Sequence, residues 1–339
     1  MNKTILVTGG AGFIGSNFAR YLLVKHPQYK VIVLDALTYA GNPENIADLS
    51  ANKNFEFAKG DIRDKGFVDS LMSRCDNVVH FAAETHVDRS IMNADSFITT
   101  DVYGTYILLE AAKKYAVKKF VHISTDEVYG EAPGRPSDEE DALYPKSPYA
   151  ASKAGADRLV YSYFTTYGMP VVISRCANNY GPYQYPEKLI PLFATNAMED
   201  KPLPVYGTGK NTRTWIHVQD HCEAVDRLLH CEEKHHGEAF NISSREEYGV
   251  LEIADVILKT LGKPKTLIKH IQDRPGHVVR HAVDPSKIEK ALGWKSKISF
   301  EDGIRETILW YKDNISWWKN IKEKQSDYKE FQKSWYKGG

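Results

Sequence analysis

A glycine-rich turn between a predicted strand and a predicted helix constrains the fold of this chain most. The run G-G-A-G-F-I-G at residues 9–15 follows the apolar segment Thr4–Thr8 and opens the helical periodicity of Ile14–Lys25. Such glycines let the backbone approach a pyrophosphate, and the helix N-terminus favours the anion. Asp35 ends the second predicted strand about 20 residues later, where a carboxylate accepts hydrogen bonds from ribose hydroxyls and repels a 2′-phosphate. This arrangement predicts a dinucleotide-binding domain that prefers NAD to NADP.

Segments of strand length alternate with helical segments through the first half of the chain. Strands are predicted over Lys30–Asp35, Asn54–Lys59, Asn77–Ala83, Lys119–Ser124 and Pro170–Arg175, and helices over Asp101–Tyr115 and Pro148–Tyr167. Ala239–Ile242 is a candidate for one more strand of the same sheet. This alternation predicts an α/β fold built on a Rossmann-type, doubly wound parallel sheet.

The pattern loosens from Asn178 onward, where prolines and glycines become frequent. We therefore expect a smaller, mixed α/β C-terminal domain that holds the substrate. The expected cofactor domain comprises residues 1–177 plus about 215–243, and the substrate domain comprises 178–214 plus about 244–339. The tail is expected to form a helix that packs on the core through the aromatic side chains of Trp310, Trp317, Trp318 and Trp335.

The charge balance argues against several classes of partner. Lysine plus arginine and aspartate plus glutamate each number 44 in 339 residues, so no basic excess indicates nucleic acid or a membrane surface. No apolar run reaches the ~20 residues that span a bilayer. The four cysteines are widely spaced, which predicts free thiols in a reducing compartment and hence a cytoplasmic protein. His235 and His236 lack the spacing of metal ligands, and no metal site is expected.

Two short motifs concentrate groups that transfer protons. The run S-T-D-E at residues 124–127 supplies hydroxyls and two carboxylates at the end of a predicted strand. Tyr149 and Lys153 lie four residues apart near the start of the helix Pro148–Tyr167, for which Ser147 is the predicted cap. Residues four apart share one face of a helix, so the phenol and the ammonium point the same way. Together these groups offer more acid–base chemistry than a simple redox reaction needs.

These motifs resemble those of the extended short-chain dehydrogenase/reductase superfamily, and more specifically those of the dTDP-glucose 4,6-dehydratases. The opening T-G-G-A-G-F-I-G and the Y-x-x-x-K helix are shared widely, whereas the Asp126-Glu127 pair after Thr125 is the more specific element. The resemblance runs from about Lys3 to Trp318. It includes the runs H-F-A-A-E-T-H-V-D-R-S (80–90), S-T-D-E-V-Y-G (124–130), N-N-Y-G-P-Y-Q-Y-P-E-K-L-I-P (178–191) and D-R-P-G-H (273–277).

The resemblance implies an NAD-dependent dehydration of dTDP-glucose that yields the 4-keto-6-deoxy sugar and regenerates NAD. Tyr149 would remove the O4 proton while C4 gives a hydride to NAD⁺, and Thr125 would hydrogen-bond the new carbonyl oxygen. Glu127 would take the acidified C5 proton, and Asp126 would protonate the departing C6 hydroxyl. The hydride would then return to C6, and Glu127 would reprotonate C5. The ammonium of Lys153 and the nicotinamide charge are expected to favour the phenolate. Because the two carboxylates need different protonation states, one pKa is expected to be raised by burial and by the adjacent charge.

By resemblance, the other site residues divide between the cofactor and the nucleotide sugar. The implied cofactor contacts are Gly9, Gly12, Phe13, Ile14, Gly15, Asp35, Leu37, Thr38, Asp61, Ile62, Phe81, Ala82, Ala83, Thr100 and Asn178, together with Tyr149 and Lys153. The implied substrate contacts are Thr85, Thr125, Asn179, Lys188, Leu189, Pro204, Tyr206, Arg213, Arg274 and His277. Cations and backbone amides are the groups that a diphosphate requires. His86 is either a lining residue or a packing residue.

The nucleotide end departs from the usual pattern of the dehydratases. Val278–His281 stand where an aspartate and R-R-Y are common, Thr214 replaces a common aspartate, and Val250 falls near a usual asparagine. The same chemistry on UDP-glucose or another NDP-hexose therefore stays open. A UDP-sugar 4-epimerase or a UDP-glucuronate decarboxylase is the other alternative, although neither needs both Asp126 and Glu127. The resemblance further implies a homodimer, with close helix packing permitted by Ala150, Ala151, Ala154, Gly155 and Ala156.

Overall fold

The central element is a parallel sheet of seven strands. The computed structural model, which describes residues 3–335, orders them β3-β2-β1-β4-β5-β6-β10. The strands are β1 (Thr4–Thr8), β2 (Lys30–Asp35), β3 (Phe55–Lys59), β4 (Asn77–His80), β5 (Lys119–Thr125), β6 (Val171–Cys176) and β10 (Ala239–Ile242). All neighbouring pairs run parallel, and the first six strands have the order of a dinucleotide-binding doubly wound sheet. The predicted fold class is confirmed, and Ala239–Ile242 joins this sheet as expected.

Helices cover both faces of the large sheet and create an apolar core on each. On one face α1 and α8 bury Leu22 and Val225, and on the other α5 and α6 bury Leu108 and Val160. The α-helices are α1 (Phe13–Lys25), α2 (Lys65–Met72), α3 (Val87–Met92), α4 (Asp95–Phe97), α5 (Thr105–Lys114), α6 (Pro148–Tyr167), α7 (Leu189–Met198), α8 (Val218–Leu229), α9 (Val250–Leu261), α10 (Ser286–Leu292), α11 (Phe300–Asp313), α12 (Ile315–Lys324) and α13 (Ser326–Trp335). Short 3-10 helices span Pro43–Ala51, Asp126–Tyr129, Glu233–His235 and Lys265–Leu267, and a π-helical turn spans Ile98–Gly104.

The chain after β6 adds short strands and helices of mixed α/β character. One small sheet has the order β11-β9-β13 with β7 paired to β9, and a second pairs β12 with β8. Their strands are β7 (Asn178–Tyr180), β8 (Leu203–Tyr206), β9 (Thr212–His217), β11 (Glu247–Gly249), β12 (Ile268–Ile271) and β13 (Arg280–His281). Helices α7, α9 and α11 enclose a third apolar core that contains Phe193, Ile257 and Ile304.

The C-terminal tail forms three successive helices instead of the one helix that the tryptophans predict. Asn314 ends α11 and Gln325 ends α12, so each break redirects the chain. Trp317 and Trp318 are buried in a fourth apolar cluster with Tyr185 and Tyr311, as the aromatic content indicates. Among the helices of the described residues, none is long and apolar enough to cross a bilayer.

Two predicted elements near the sheet edge differ in their bounds. The predicted strand Asn77–Ala83 ends at His80, because the chain then turns along the cleft described below. The predicted helix Asp101–Tyr115 starts inside a π-helical turn and ends at Lys114. The buried carboxylate of Asp101 accepts hydrogen bonds from the Glu84 N–H at 2.8 Å and from the Ser152 hydroxyl at 2.6 Å, which ties this turn to α6.

A buried ion pair fixes α6 to the large sheet. Arg175 in β6 donates from Nε to Oδ2 of Asp157 at 2.9 Å and from Nη2 to Oδ1 at 3.0 Å. Both side chains are almost fully shielded from solvent, with 3% of Arg175 and 0% of Asp157 exposed. The Nη1 group also donates to the Tyr129 hydroxyl at 2.7 Å, so the pair connects α6 with the 3-10 helix after β5.

Replacing Arg175 with Met is expected to lower the free energy of unfolding by ~3–5 kcal/mol, because removal of one partner leaves a buried carboxylate with less compensation. Arg158→Met is the matched control, because Arg158 pairs with the same Asp157 but its side chain is 48% exposed. Loss of the Arg158–Asp157 pair should lower the free energy of unfolding by under about 1 kcal/mol. If urea denaturation gave the same decrease in the free energy of unfolding for both variants, a dominant contribution from the buried pair would be contradicted.

Candidate active site

One cleft of about 420 Å³ opens at the carboxyl ends of β1, β4, β5 and β6, where ligands bind in sheets of this topology. The residues predicted to act in catalysis, to bind the cofactor or to bind the substrate all line this cleft, except Leu37. Leu37 has a left-handed backbone with φ of 54°, and its N–H donates to Oδ1 of Asp35 at 2.8 Å. Its side chain packs against the apolar core instead.

The glycine turn and Asp35 form the end of the cleft that fits a dinucleotide. A Cβ on Gly15 would lie 2.3 Å from the Gly9 carbonyl oxygen, and one on Gly9 would lie 2.6 Å from the Ala82 nitrogen. Any side chain at these positions would therefore clash with the backbone of the turn or of the segment after β4, so the tight turn requires glycine. Asp35 is 8% exposed, accepts the Ala11 N–H at 2.9 Å and has its pKa raised by burial. Thr38, Asp61, Ile62 and Phe81 continue the lining around this end.

The start of α6 places Tyr149 and Lys153 in the cleft. The Ser147 hydroxyl accepts the Ala150 N–H at 3.1 Å, which is the predicted cap. Lys153 is buried, and its ammonium donates to the Ile123 carbonyl at 2.7 Å. Desolvation and the nearby Glu127 raise the pKa of Tyr149 well above its usual value. The phenolate expected from the sequence is therefore not favoured by the chain alone, and it depends on positive charge brought by a ligand.

The acidic pair follows β5 directly and faces the same cleft. The Thr125 hydroxyl accepts the Glu127 N–H at 3.3 Å and donates to Oδ1 of Asp126 at 3.3 Å, so it begins the 3-10 helix Asp126–Tyr129. Asp126 is 2% exposed, and its Oδ2 has no hydrogen-bond partner among the described residues. Burial, with the charge of Glu127, raises the pKa of Asp126 to about 7. One raised pKa, caused by burial and by the adjacent charge, is what the paired carboxylates predict.

Cations gather at the opposite end of the cleft. Lys188 donates to the Thr85 hydroxyl at 3.0 Å, Arg274 donates to Oδ1 of Asp88 at 2.6 Å, and Arg213 also lines the cleft. Three cations on one wall suit a diphosphate. The other residues predicted for this end, which also line it, are Asn179, Leu189, Pro204, Tyr206 and His277.

The amide of Asn179 is already used within the protein. Its Nδ2 donates to the Ala177 carbonyl at 3.0 Å, and its Oδ1 lies 2.9 Å from Nδ1 of His221. The side chain therefore holds the loop after β6 in place, and the surface that it offers a ligand is limited. His86, left open by the sequence, lines the cleft with a strained backbone φ of 82°.

Two buried carboxylates in the cleft were missed from the sequence. Asp88 is 1% exposed and accepts hydrogen bonds from both Arg274 and the Tyr206 hydroxyl. Glu187 is also buried, and it forms an ion pair with Arg89 at 2.8 Å. Both lie in motifs that carry the resemblance. One signal in the sequence could have indicated Asp88. An arginine predicted to lie in a cleft, as Arg274 was, needs a carboxylate beside it.

Outside the cleft, one cluster of potential metal ligands occurs in the described part of the chain. Nε2 of His26 lies 2.9 Å and Nδ1 of His230 lies 3.0 Å from Oδ1 of Asp226. These atoms satisfy one another through hydrogen bonds. None of the three residues lines the cleft, so the cluster has no part in the site chemistry.

Known proteins share the fold and a large part of the sequence of this chain. A family model described as GDP-mannose 4,6 dehydratase matches residues 6–307. A dTDP-glucose 4,6-dehydratase of Streptomyces niveus is 49% identical over 322 residues, which cover 94% of this chain and 95% of that protein. The crystal structure of DesIV (dTDP-glucose 4,6-dehydratase) from Streptomyces venezuelae with NAD and TYD bound superimposes with a TM-score of 0.91 at 46% identity, covering 94% of this chain and 99% of that one.

Epimerases share the fold at lower identity. A UDP-glucuronic acid 4-epimerase from Bacillus cereus, solved in complex with UDP-glucuronic acid and NAD, has a TM-score of 0.87 at 32% identity, covering 91% of this chain and 99% of that one. The fold alone therefore does not separate the two activities. From the match over residues 6–307 and the identities of its relatives, the chain belongs to the GDP-mannose 4,6 dehydratase family, and the resemblance to dTDP-glucose 4,6-dehydratases that its motifs indicated is confirmed.

Proposed function

We propose that this protein is an NAD-dependent hydro-lyase that converts dTDP-glucose to dTDP-4-keto-6-deoxyglucose for deoxysugar biosynthesis. The observation that carries the proposal is the buried Asp126, whose pKa is raised to about 7, beside Glu127 in the cleft that holds Tyr149. A proton donor and a proton acceptor are thus available at one place at neutral pH. The dTDP-glucose 4,6-dehydratases among its relatives support the same activity.

Each side chain has a defined task in this reaction. NAD, when bound, would supply a hydride acceptor for sugar C4, a hydride for C6 and a positively charged nicotinamide ring. Tyr149 takes the O4 proton, and the Thr125 hydroxyl, which starts the 3-10 helix, hydrogen-bonds the carbonyl oxygen that forms. The carbonyl acidifies C5–H, and Glu127 takes this proton. Asp126 donates its proton to the C6 hydroxyl, which leaves as water. When C6 has gained the hydride, Glu127 returns its proton to C5, and the 4-keto-6-deoxy sugar is complete.

The cationic end of the cleft supports a nucleotide diphosphate as the handle. Lys188, Arg213 and Arg274 would offer charge to the diphosphate, and Tyr206, which also lines the cleft, would border the base. The identities with dTDP-glucose 4,6-dehydratases favour thymine. Val250 lines the cleft as an apolar side chain, which keeps UDP-glucose as a second candidate substrate.

Epimerase and decarboxylase activities fit the site less well. A 4-epimerase oxidises and reduces C4 alone, and a decarboxylase loses carbon dioxide from C5, so neither requires a protonated carboxyl beside a carboxylate. Burying Asp126 without a partner for Oδ2 costs free energy, which elimination of a hydroxyl would explain.

The activity is tested by incubating the protein with NAD and a panel of dTDP-, UDP-, CDP- and GDP-glucose. A 4-keto product absorbs strongly in the near ultraviolet after addition of alkali. We expect the largest kcat/KM with dTDP-glucose. Formation of a 4-epimer without a 4-keto product would refute the proposal, and a preference for UDP-glucose would refute only the choice of base.

The elimination rate is expected to fall as the pH rises above about 7. Asp126 acts in its protonated form, and the raised pKa keeps that form populated up to neutral pH and loses it above. The measurement is kcat for dTDP-glucose against pH, with Asp126→Asn as the comparison, because an amide has no such ionisation. A descending limb that persists unchanged in Asp126→Asn would assign it to another group.

The two-domain division is proposed with residues 1–177 plus 215–243 as the NAD-binding domain and 178–214 plus 244–339 as the nucleotide-sugar-binding domain. The membership of β10 in the large sheet supports the return of the chain to the first domain. The small sheets of β7 to β9 and β11 to β13 support the second, and because β9 runs to His217, they favour a boundary just after that residue. A cytoplasmic location is proposed from the four cysteines, which are all free thiols in the fold.

A homodimer is proposed through the outer faces of α5 and α6. Of the small residues that suggested close packing, Ala150, Ala154 and Ala156 are buried inside the protomer, whereas Ala151 and Gly155 are exposed. Exposed aromatic side chains continue this surface, namely Tyr103, Tyr106 and Tyr161. Sedimentation of a monomer at micromolar concentration would contradict the proposal.

A further inference from the structure

The C-terminal helix α13 lies beyond the part of the chain that the family model matches. That match ends at residue 307, whereas α13 spans Ser326–Trp335. The helix is anchored where it begins, because the Tyr185 hydroxyl donates to Oε1 of Gln325 at 2.8 Å. The ring of Tyr328 also packs edge-on against Tyr185, with 6.1 Å between centroids. Tyr185 lines the cleft, so this anchor already places α13 against the cleft wall.

Phe331 covers a charged group behind the cleft wall. The guanidinium of Arg89 lies 4.5 Å from the centre of the Phe331 ring and 3.8 Å from that of Tyr39 on its other side. The same guanidinium holds Glu187, whose side chain is 0% exposed. Phe331 is 3% exposed, and its ring meets that of His86 edge-on at 5.2 Å. His86 and Glu187 both line the cleft, and Phe331 excludes water from the side of these residues that faces away from it.

Trp335 continues the contact at the last turn of the helix. Its indole Nε1 lies 2.5 Å from the Tyr206 hydroxyl oxygen. An indole nitrogen only donates, so the Tyr206 oxygen accepts this bond and its own proton is directed to Oδ2 of Asp88 at 2.7 Å. Asp88 in turn accepts from Arg274 at 2.6 Å. A hydrogen-bonded chain therefore runs from the tail through Tyr206 and Asp88 to a cation of the nucleotide end.

We propose that α13 is a strap that positions the nucleoside-diphosphate site, in which Trp335 holds Tyr206 and Asp88, and Phe331 holds Arg89 in its pair with Glu187. The inference rests on the proposed function. Neither residue touches the reacting atoms, because the sugar chemistry lies at Asp126 and Tyr149. The strap therefore stabilises the bound substrate and the transition state equally. Its loss should raise KM and leave kcat unchanged.

The test compares Trp335→Phe and Phe331→Leu with the wild-type enzyme in steady-state turnover of dTDP-glucose. Each variant is expected to raise KM by about three- to tenfold, the loss that one hydrogen bond or one well-packed ring implies, with kcat within about twofold. The inhibition constant of dTDP should rise by the same factor. The dissociation constant of NAD should not change in Trp335→Phe, because the hydrogen-bonded chain from Trp335 runs to Tyr206, Asp88 and Arg274 and includes no predicted cofactor contact.

Lys333→Ala is the control, because Lys333 is exposed on the same helix. It should leave KM, kcat and the thermal midpoint unchanged. The inference is overturned if Trp335→Phe and Phe331→Leu keep the wild-type KM, or if they lower kcat as much as they raise KM. Wild-type protein that turns over no nucleotide hexose would instead refute the proposed function, so the two failures are distinguishable.

Discussion

Asp126→Asn combined with Glu127→Gln is expected to lower the rate of dehydration by about 10³- to 10⁴-fold, while oxidation at C4 survives. Both replacements keep the size of the side chain and remove its ability to give or take a proton. The Thr125 hydroxyl bond to residue 127 uses a backbone N–H, so the 3-10 helix that carries both residues is retained. The site should therefore still bind and orient the sugar but fail to eliminate water.

The measurement separates the two halves of the reaction. Single-turnover mixing of the double variant with dTDP-glucose should give a rise in reduced-nicotinamide absorbance without the alkali-dependent absorbance of the 4-keto-6-deoxy product. Glu140→Gln is the matched control, since it changes an exposed carboxylate outside the cleft and should leave both signals intact. Dehydration by the double variant at the wild-type rate would exclude these two residues as the acid and the base.

Tyr149→Phe is expected to abolish both signals, with a loss of about 10²- to 10⁴-fold in the oxidation step itself. The phenol is the group proposed to take the O4 proton, and without that transfer no carbonyl forms to acidify C5–H. Elimination then cannot begin, even though Asp126 and Glu127 are intact. The variant should also lose the pH dependence that reports the phenol, and only that of other groups would remain.

Tyr167→Phe is the control for this second result, because Tyr167 lies at the far end of α6 and is 55% exposed. It should retain wild-type kcat and KM. If Tyr149→Phe still reduced NAD at the wild-type rate, another group would have to take the O4 proton. Comparison of Tyr149→Phe with the Asp126→Asn/Glu127→Gln variant gives the order of the two half-reactions. A block of elimination leaves oxidation measurable, whereas a block of oxidation removes both signals.

Local patterns in the sequence were sufficient for the parts of the site that lie within a few residues of one another. The glycine turn after β1 and the acid at the end of β2 depend on one strand–turn–helix unit and on the next strand, and both occur as predicted. The cap of α6 and the four-residue spacing of Tyr149 and Lys153 follow from helix geometry alone. The fold class followed because the alternation of strand and helix is repeated along the chain.

Bounds that depend on neighbouring elements were predicted less well. The strand that ends at His80 and the π-helical turn Ile98–Gly104 are set by contacts across the sheet edge. The carboxylate of Asp101 reaches a loop 17 residues away and a helix 51 residues away, and periodicity carries no information on such partners. The tail forms three helices instead of the single predicted one because each helix packs on a different part of the fold. Periodicity does not reveal these packing partners either.

The fold class, the dinucleotide turn, the Asp126-Glu127 pair and the family could be read from the sequence, because they are properties of short segments and their order. The raised pKa of Asp126 and the pairing of Asp88 with Arg274 across 186 residues became visible only in the folded chain. The same is true of the contact between Trp335 in α13 and Tyr206. Desolvation and charge pairing depend on which distant segments enclose a group, and that is known only once the chain has folded.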